Sequence, residues 1–127
     1  MMKFSALFLL AAACAGCATV TVSHDSHGGR VEGGEVPVET VMVENTGWLL
    51  FNIIPIGSGN PDRPNECSCR MFTDTTTLQN NLDMLEREMK RAGATRIENL
   101  YSKTQDESIF FLLFTRTACR TSAVLLK

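Results

Sequence analysis

Residues 76–93 of the chain read TTLQNNLDMLEREMKRAG, and apolar residues recur in this segment at spacings of three and four. That spacing places them on one stripe of an α-helix, which must bury against another element of the fold. Thr76 and Gln79 have the spacing of a capping box, with a cap one turn upstream as the alternative, and Gly93 is a typical helix stop. Met84 falls at the flank of the stripe. The stripe consists of Leu78, Leu82, Leu85, Met89 and Ala92.

The segments around this helix predict the strands of a sheet, because they are apolar or alternate between apolar and polar residues. Residues 45–47 and the polar segment 103–108 have the composition of turns, and residues 55–64 form a proline-rich loop. The order β-β-α-β-β-β with short late connections predicts a two-layer α+β domain, with one helix packed on a largely antiparallel sheet. The predicted strands are 36–44, 48–54, 94–101, 109–115 and 120–126.

The composition is that of one small globular domain, with 127 residues, 44% of them hydrophobic and 20% charged. The formal net charge is −2, and the lysines and arginines are scattered along the chain. A nucleic-acid-binding domain would carry a basic patch or stripe, so nucleic acid is not expected as a partner.

The N-terminal segment has the pattern of an export signal. Lys3 precedes an apolar run over residues 4–13, and the segment closes with CAGC at residues 14–17. The run is too short to span a bilayer as a helix and is typical of a secretory signal. The segment resembles the lipobox of bacterial lipoprotein precursors, in which small residues precede an obligatory cysteine. This resemblance implies cleavage before Cys17 and lipidation of that cysteine, with Cys14 as an alternative acceptor.

The lipoprotein resemblance implies a signal peptide over residues 1–16 and a membrane partner held through the lipid anchor. In Gram-negative lipoproteins, a residue other than aspartate after the cysteine implies the outer membrane. Ala18 is such a residue. Residues 17–35 are polar and glycine-rich, so we expect a lipidated flexible tether before a single domain over residues 36–127. The helix end at residues 93–94 resembles that of small uncharacterised envelope lipoproteins with a helix on a sheet.

Three cysteines lie within the domain, and an exported protein sits in an oxidising compartment. We therefore expect a disulfide between Cys119 and either Cys67 or Cys69, since cysteines at alternate positions rarely pair with each other. A thiol exchanger based on Cys67-Ser68-Cys69 is one alternative. A metal site that adds His24 or His27 to the thiolates is another, although both histidines lie in the predicted tether and have no zinc-ribbon spacing.

Catalytic patterns are weak in this sequence. Asp83, Glu86 and Glu88 fall on the polar side of the helix as solvated charges. Ser58 lies between two glycines, but the domain has no histidine to activate it and no strand–turn–helix context around it. The sequence therefore favours a noncatalytic binding or accessory domain without a cofactor. A thiol-redox or metal-handling protein is the alternative.

Two apolar runs that contribute predicted strands, residues 48–56 and 109–115, have apolar residues on both faces. Strands of that kind belong in sheets that are covered on both sides, whereas a single helix covers one. Two explanations remain open: the loop 55–74 folds over the second face, or that face is an interface with another copy or with an envelope protein.

Overall fold

The computed structural model describes residues 16–24, 34–66, 68–109 and 113–127. The predicted signal peptide up to residue 15, with Cys14, lies outside the described residues, and so do residues 25–33 of the predicted tether. The elements are β1 (Ala18–Ser23), β2 (Pro37–Leu50), β3 (Ile54–Gly59), β4 (Cys69–Met71), α1 (Leu78–Ala92), β5 (Arg96–Ile109) and β6 (Phe114–Leu126).

The six strands form one sheet in the order β4-β3-β2-β6-β5, and every pair of neighbours is antiparallel. β2 and β6 lie in the centre. The edge of β2 that faces away from β6 has two partners, because β1 pairs with its first half and β3 with its last residues. α1 packs across β2 and β6. The predicted α+β class, with one helix on a largely antiparallel sheet, is confirmed. The order of the elements differs, because four strands precede α1 and two follow it, whereas two and three were predicted.

β2 continues through the segment that was predicted as a turn at residues 45–47. The reason is its pairing with β6, which is continuous from Glu39 to Leu50. The chain reverses instead at residues 51–53, where Phe51 and Asn52 have φ angles of 53° and 59°. Two consecutive residues with positive φ are the geometry of a tight hairpin turn, so the apolar run that starts at Trp48 is a hairpin end.

The hairpin formed by β5 and β6 corrects the strands that were predicted for the C-terminal part. The polar segment 103–108 belongs to β5, which pairs with β6 up to the Ile109–Phe114 pair. β5 is an edge strand whose side chains at these positions are exposed, and an exposed edge favours polar residues. The three predicted strands after the helix are therefore two long ones, and residues 110–112 lie outside the described residues.

The segment Ala18–Ser23 is a strand, which corrects the prediction of a flexible tether at this position. It pairs with β2 from Ala18 opposite Asn45 to Ser23 opposite Thr40. Its outer edge is held by Asn65, whose side-chain amide donates to the carbonyl oxygen of Val20 over 3.0 Å and accepts from the Val20 N–H over 2.9 Å. A side chain thus takes the place of a neighbouring strand.

The predicted loop 55–64 contains β3, the strand Ile54–Gly59. Pro55 has no N–H to offer, and it lies where the β2–β3 register shifts between Trp48 and Leu49. A bulge is one of the few places in a sheet that tolerate proline. The short strand β4 covers the outer edge of β3.

α1 begins after Thr77, whose hydroxyl accepts from the Asn80 N–H over 3.3 Å, and it ends at Gly93 with a φ of 65°. The buried face is rotated relative to the predicted stripe. Met84 is 1% exposed, whereas Leu78 is 49% exposed. Asn81 also lies in the buried face, because its amide donates to the Cys119 carbonyl oxygen over 2.8 Å. The core cluster consists of Ala18, Val41, Val43, Met84, Leu85, Ala123 and Leu125.

The open face of the sheet, opposite α1, is mixed in character. Register places Glu44 beside Arg120 on this face, and the two form an ion pair with 2.6 Å between Oε2 and an Nη atom. Thr40, Ser122 and Arg116 share the face. The open face is therefore not apolar throughout its described part, because much of the apolar runs 48–56 and 109–115 lies at hairpin ends.

We predict that Met84→Ala lowers the free energy of unfolding by about 2–5 kcal/mol, the usual cost of emptying a core position. Leu78→Ala, a truncation in the same helix, should cost less than about 1 kcal/mol because that side chain is half exposed. Urea denaturation followed by circular dichroism measures both values. An equal decrease in the free energy of unfolding for the two variants would contradict the rotated face and favour the stripe predicted from periodicity.

Candidate functional site

Cys17 lies immediately before β1, with an exposed side chain and a backbone that is bound on both sides. Its N–H donates to the Thr46 hydroxyl oxygen over 2.9 Å. Its carbonyl oxygen accepts from the Thr46 N–H, also over 2.9 Å. One residue of β2 therefore fixes the main chain of Cys17 while its thiol remains accessible.

Gly59 is the residue that allows the N-terminal segment to come so close to the sheet. A Cβ atom at Gly59 would collide with the backbone of Cys17 and Ala18. A Cβ atom at Gly16 would lie 2.9 Å from the backbone of Ser58, so the residue before Cys17 also lies against β3. Cys17 thus occupies the junction of β1 and β3, with no spacer between it and the folded domain.

A buried hydrogen-bond network lies beside this junction and uses the serine that the sequence placed in a turn. The Ser58 hydroxyl donates to the Thr73 carbonyl oxygen over 2.6 Å and accepts from the Thr75 N–H over 3.1 Å. Asn45 donates to the Thr75 carbonyl oxygen over 2.5 Å. These bonds fasten the chain before α1 to the sheet, which is a structural role for Ser58.

The structure does not bring Cys69 and Cys119 together. Cys69 lies on β4 and Cys119 on β6, which are three strands apart and so separated by about 14 Å at roughly 4.8 Å per strand. A disulfide needs Cα atoms within about 7 Å, so the predicted pairing of these two residues is wrong for this fold. Cys119 is a buried free thiol whose Sγ lies 3.8 Å from the Thr104 hydroxyl. Cys67 lies outside the described residues.

His24, which was considered as a metal ligand, contacts a carboxylate. His24 Nδ1 lies 3.4 Å from Glu39, which is almost buried and also binds Arg91 over 2.9 Å. A hydrogen bond from Arg91 to Glu88 and the charges of Glu88 and Glu39 raise the pKa of Arg91. In the parts of the chain that the structure describes, no three His, Cys, Asp or Glu side chains are grouped as metal ligands. His27 lies outside the described residues.

The acidic residues of the helix form ion pairs on its surface. Glu86 pairs with Lys90 over 2.6 Å, and Glu88 pairs with Arg91 over 2.5 Å. Asp83 accepts a hydrogen bond from Gln79 over 2.8 Å, next to a shallow groove of about 350 Å³ between the helix and Pro61. This is the arrangement of a solvated helix face.

A second candidate surface lies at the end of the sheet where the two long hairpins turn, and we name it the apolar tip. The Phe51 N–H donates to the Leu113 carbonyl oxygen over 2.9 Å, which joins the two hairpin ends. The Phe72 N–H donates to Ile56 over 3.1 Å and brings the end of β4 to the same place. Sequence reasoning missed this surface because it assigned the same residues to strands and a loop. The apolar tip consists of Phe51, Ile53, Ile54, Phe72 and Leu113.

No helix in the described part of the chain combines the length and the hydropathy of a membrane-spanning segment. Comparison of the chain with protein-family models, with curated proteins and with solved structures yields no match. The surfaces of the domain are therefore the basis for any functional proposal.

We predict that Thr46→Val weakens the attachment of β1, because valine keeps the shape of threonine but cannot accept from the Cys17 N–H. The free energy of unfolding should fall by about 0.5–1.5 kcal/mol, the net value of one hydrogen bond, and the β1 amides should exchange faster. Thr40→Val is the matched control, since Thr40 lies on the same strand and face but is exposed. Hydrogen exchange of β1 that is the same in both variants would exclude this role of Thr46.

We predict that Cys119 resists alkylation by iodoacetamide in the folded protein and reacts after denaturation, because its side chain is fully buried. Peptide mapping of native and denatured samples without reductant locates the label. Recovery of Cys119 in a disulfide-linked peptide would contradict the position that the structure gives to this residue.

Proposed function

We propose that the chain is an exported lipoprotein of the bacterial envelope, acylated on Cys17, whose domain acts without catalysis as a binding or accessory module. The residue after the cysteine, Ala18, favours the outer membrane as its location. The observation that carries the proposal is the position of Cys17, in which the side chain is exposed and the backbone is bound.

A lipidated cysteine must direct its sulfur away from the core, because the attached acyl chains have to reach a membrane. Among the described cysteines, Cys17 is exposed, Cys69 is partly buried and Cys119 is buried. Acylation of the amino group of Cys17 would also leave one N–H on that nitrogen. The 2.9 Å hydrogen bond to Thr46 is therefore compatible with the fully acylated residue, and the fold accommodates Cys17 as the first residue of a mature chain.

A noncatalytic role is favoured by the way the reactive side chains of the domain are used. The Ser58 hydroxyl is buried in a network of three hydrogen-bonded residues, and Glu39 is bound by Arg91. Cys119 lies under α1, where its carbonyl oxygen accepts from Asn81. Each of these groups stabilises contacts between elements, so none is presented to a substrate.

We expect Cys17→Ser to abolish labelling by a clickable palmitate analogue in a Gram-negative host, because serine cannot form the thioether. The unprocessed precursor should accumulate, which immunoblotting detects as a band of higher mass. Cys14→Ser is the matched control and should be labelled like the parent protein.

The opposite result, with label kept in the Cys17→Ser variant and lost in Cys14→Ser, would move the acceptor to Cys14. Absence of label from the parent protein would overturn the lipoprotein assignment. Intact-mass measurement of the membrane-extracted protein distinguishes these results, because each acyl chain adds a defined mass to the N-terminal peptide.

A further inference from the structure

We propose that the apolar tip inserts into the lipid bilayer, so that the domain contacts the membrane directly in addition to its anchor. This inference rests on the lipid-anchored location proposed above. It assigns a lipid surface as the binding partner of Phe51, Ile53, Ile54, Phe72 and Leu113.

The first support is the exposure of the tip. Ile53 is 79% exposed and Phe72 is 75% exposed, and residues 48–60 contain no charged side chain. Burial of such side chains in an apolar medium is favourable in proportion to the apolar area that leaves water. A soluble monomer gains no stability from exposing these residues together at one end, whereas a domain that faces a bilayer can bury them in it.

The second support is that three polar groups of the turn at residues 51–53 already have partners. The Phe51 N–H donates to Leu113 and the Ile53 N–H donates to Leu50 over 3.1 Å. The side-chain oxygen of Asn52 accepts from the Thr115 hydroxyl. A backbone that enters an apolar medium must bring its hydrogen bonds with it, since each unsatisfied group costs several kcal/mol. The tip can therefore leave water at low cost.

The third support is the distance between the tip and the proposed anchor. Cys17 is level with Thr46, and Leu50 lies four residues further along β2, about 13 Å at roughly 3.3 Å per residue. Interfacial protein segments bury their apolar side to a depth of about 5–10 Å. Insertion to that depth brings Cys17 close to the headgroups, where its glycerol-linked chains enter the same leaflet.

A second copy of the chain is a less suitable occupant. An aromatic side chain buries about 150–250 Å², so the two phenylalanines and three smaller aliphatic side chains of the tip, all of them partly exposed, offer on the order of 500 Å². A stable interface needs roughly 800 Å² on each partner. The tip is also formed by hairpin ends, which fit a deformable lipid surface better than an identical convex end.

The test measures the depth of two tryptophan probes in the acylated protein, purified from membranes and reconstituted into vesicles of phosphatidylethanolamine and phosphatidylglycerol. Trp48→Phe removes the native fluorophore without loss of a hydrogen bond, because Trp48 Nε1 has no partner among the described residues. Ile53→Trp places a probe in the tip. Tyr101→Trp is the matched control on β5, where Tyr101 is 63% exposed and paired with Ser122, far from the tip.

Lipids brominated on the acyl chains should remove most of the emission of the I53W probe and leave that of Y101W unchanged. Equal, weak quenching of both probes would overturn the inference. A blue-shifted I53W emission without quenching, together with crosslinked dimers, would overturn it in favour of a second copy.

The intact mass of the same preparation separates this inference from the function on which it rests. An acylated protein with an unquenched I53W probe keeps the proposed function and rejects the bilayer contact. A protein that is held in the vesicle by an uncleaved leader, without acyl mass, and shows I53W quenching rejects the lipoprotein assignment and keeps the contact.

Discussion

The structure depends on the antiparallel pairing of β2 with β6, which extends from Pro37 opposite Leu126 to Leu50 opposite Phe114. Because both strands are long and central, most other elements attach to them: α1 packs on one face, β5 pairs with β6, and β1 and β3 share the outer edge of β2. β4 attaches through β3. Val41 and Val43 face Ala123 and a threonine across this pair, and they form the floor on which Met84 packs. The position of the hairpin ends and that of Cys17 both follow from the length of this pair.

The helix and the α+β class could be predicted because their signals are local. A period near 3.6 and a terminal glycine are contained within residues 76–93. The predicted stripe was rotated relative to the buried face, which includes the polar Asn81. Strand boundaries were harder, since a run of apolar residues has the same composition in a buried strand and in an exposed hairpin end. The polar segment 103–108 concealed a strand because both of its sides are exposed at the sheet edge. The one local clue to the first hairpin was Asn52, a residue that tolerates positive φ within an otherwise apolar run.

The candidate site was predictable in part. The pattern before Cys17 suggested an acceptor cysteine, but its attachment to Thr46 and Gly59 joins residues that are far apart in sequence, and no spacing rule reports such contacts. The same limit explains why the predicted pairing of Cys119 with Cys69 does not fit the fold, while its alternative, Cys67, lies outside the described residues. Cysteine counting assumes that thiols of an exported domain meet, whereas the sheet order places two strands, β3 and β2, between Cys69 and Cys119.

The length of the β2–β6 pair separates a charged surface in the middle of the sheet from an apolar surface at its end. The middle of the open face is crossed by paired charges such as Glu44 and Arg120, while apolar side chains concentrate where β2 and β6 turn. Exposed apolar residues are tolerated only when their partner is constantly near, since they otherwise favour aggregation. An anchor that emerges directly from the sheet edge, with no spacer after Cys17, would meet that condition by keeping the apolar tip within reach of the bilayer. Under the proposed lipid anchor, the absence of a spacer and the exposure of the tip would have one cause, namely a domain that works against the membrane surface rather than at a distance from it.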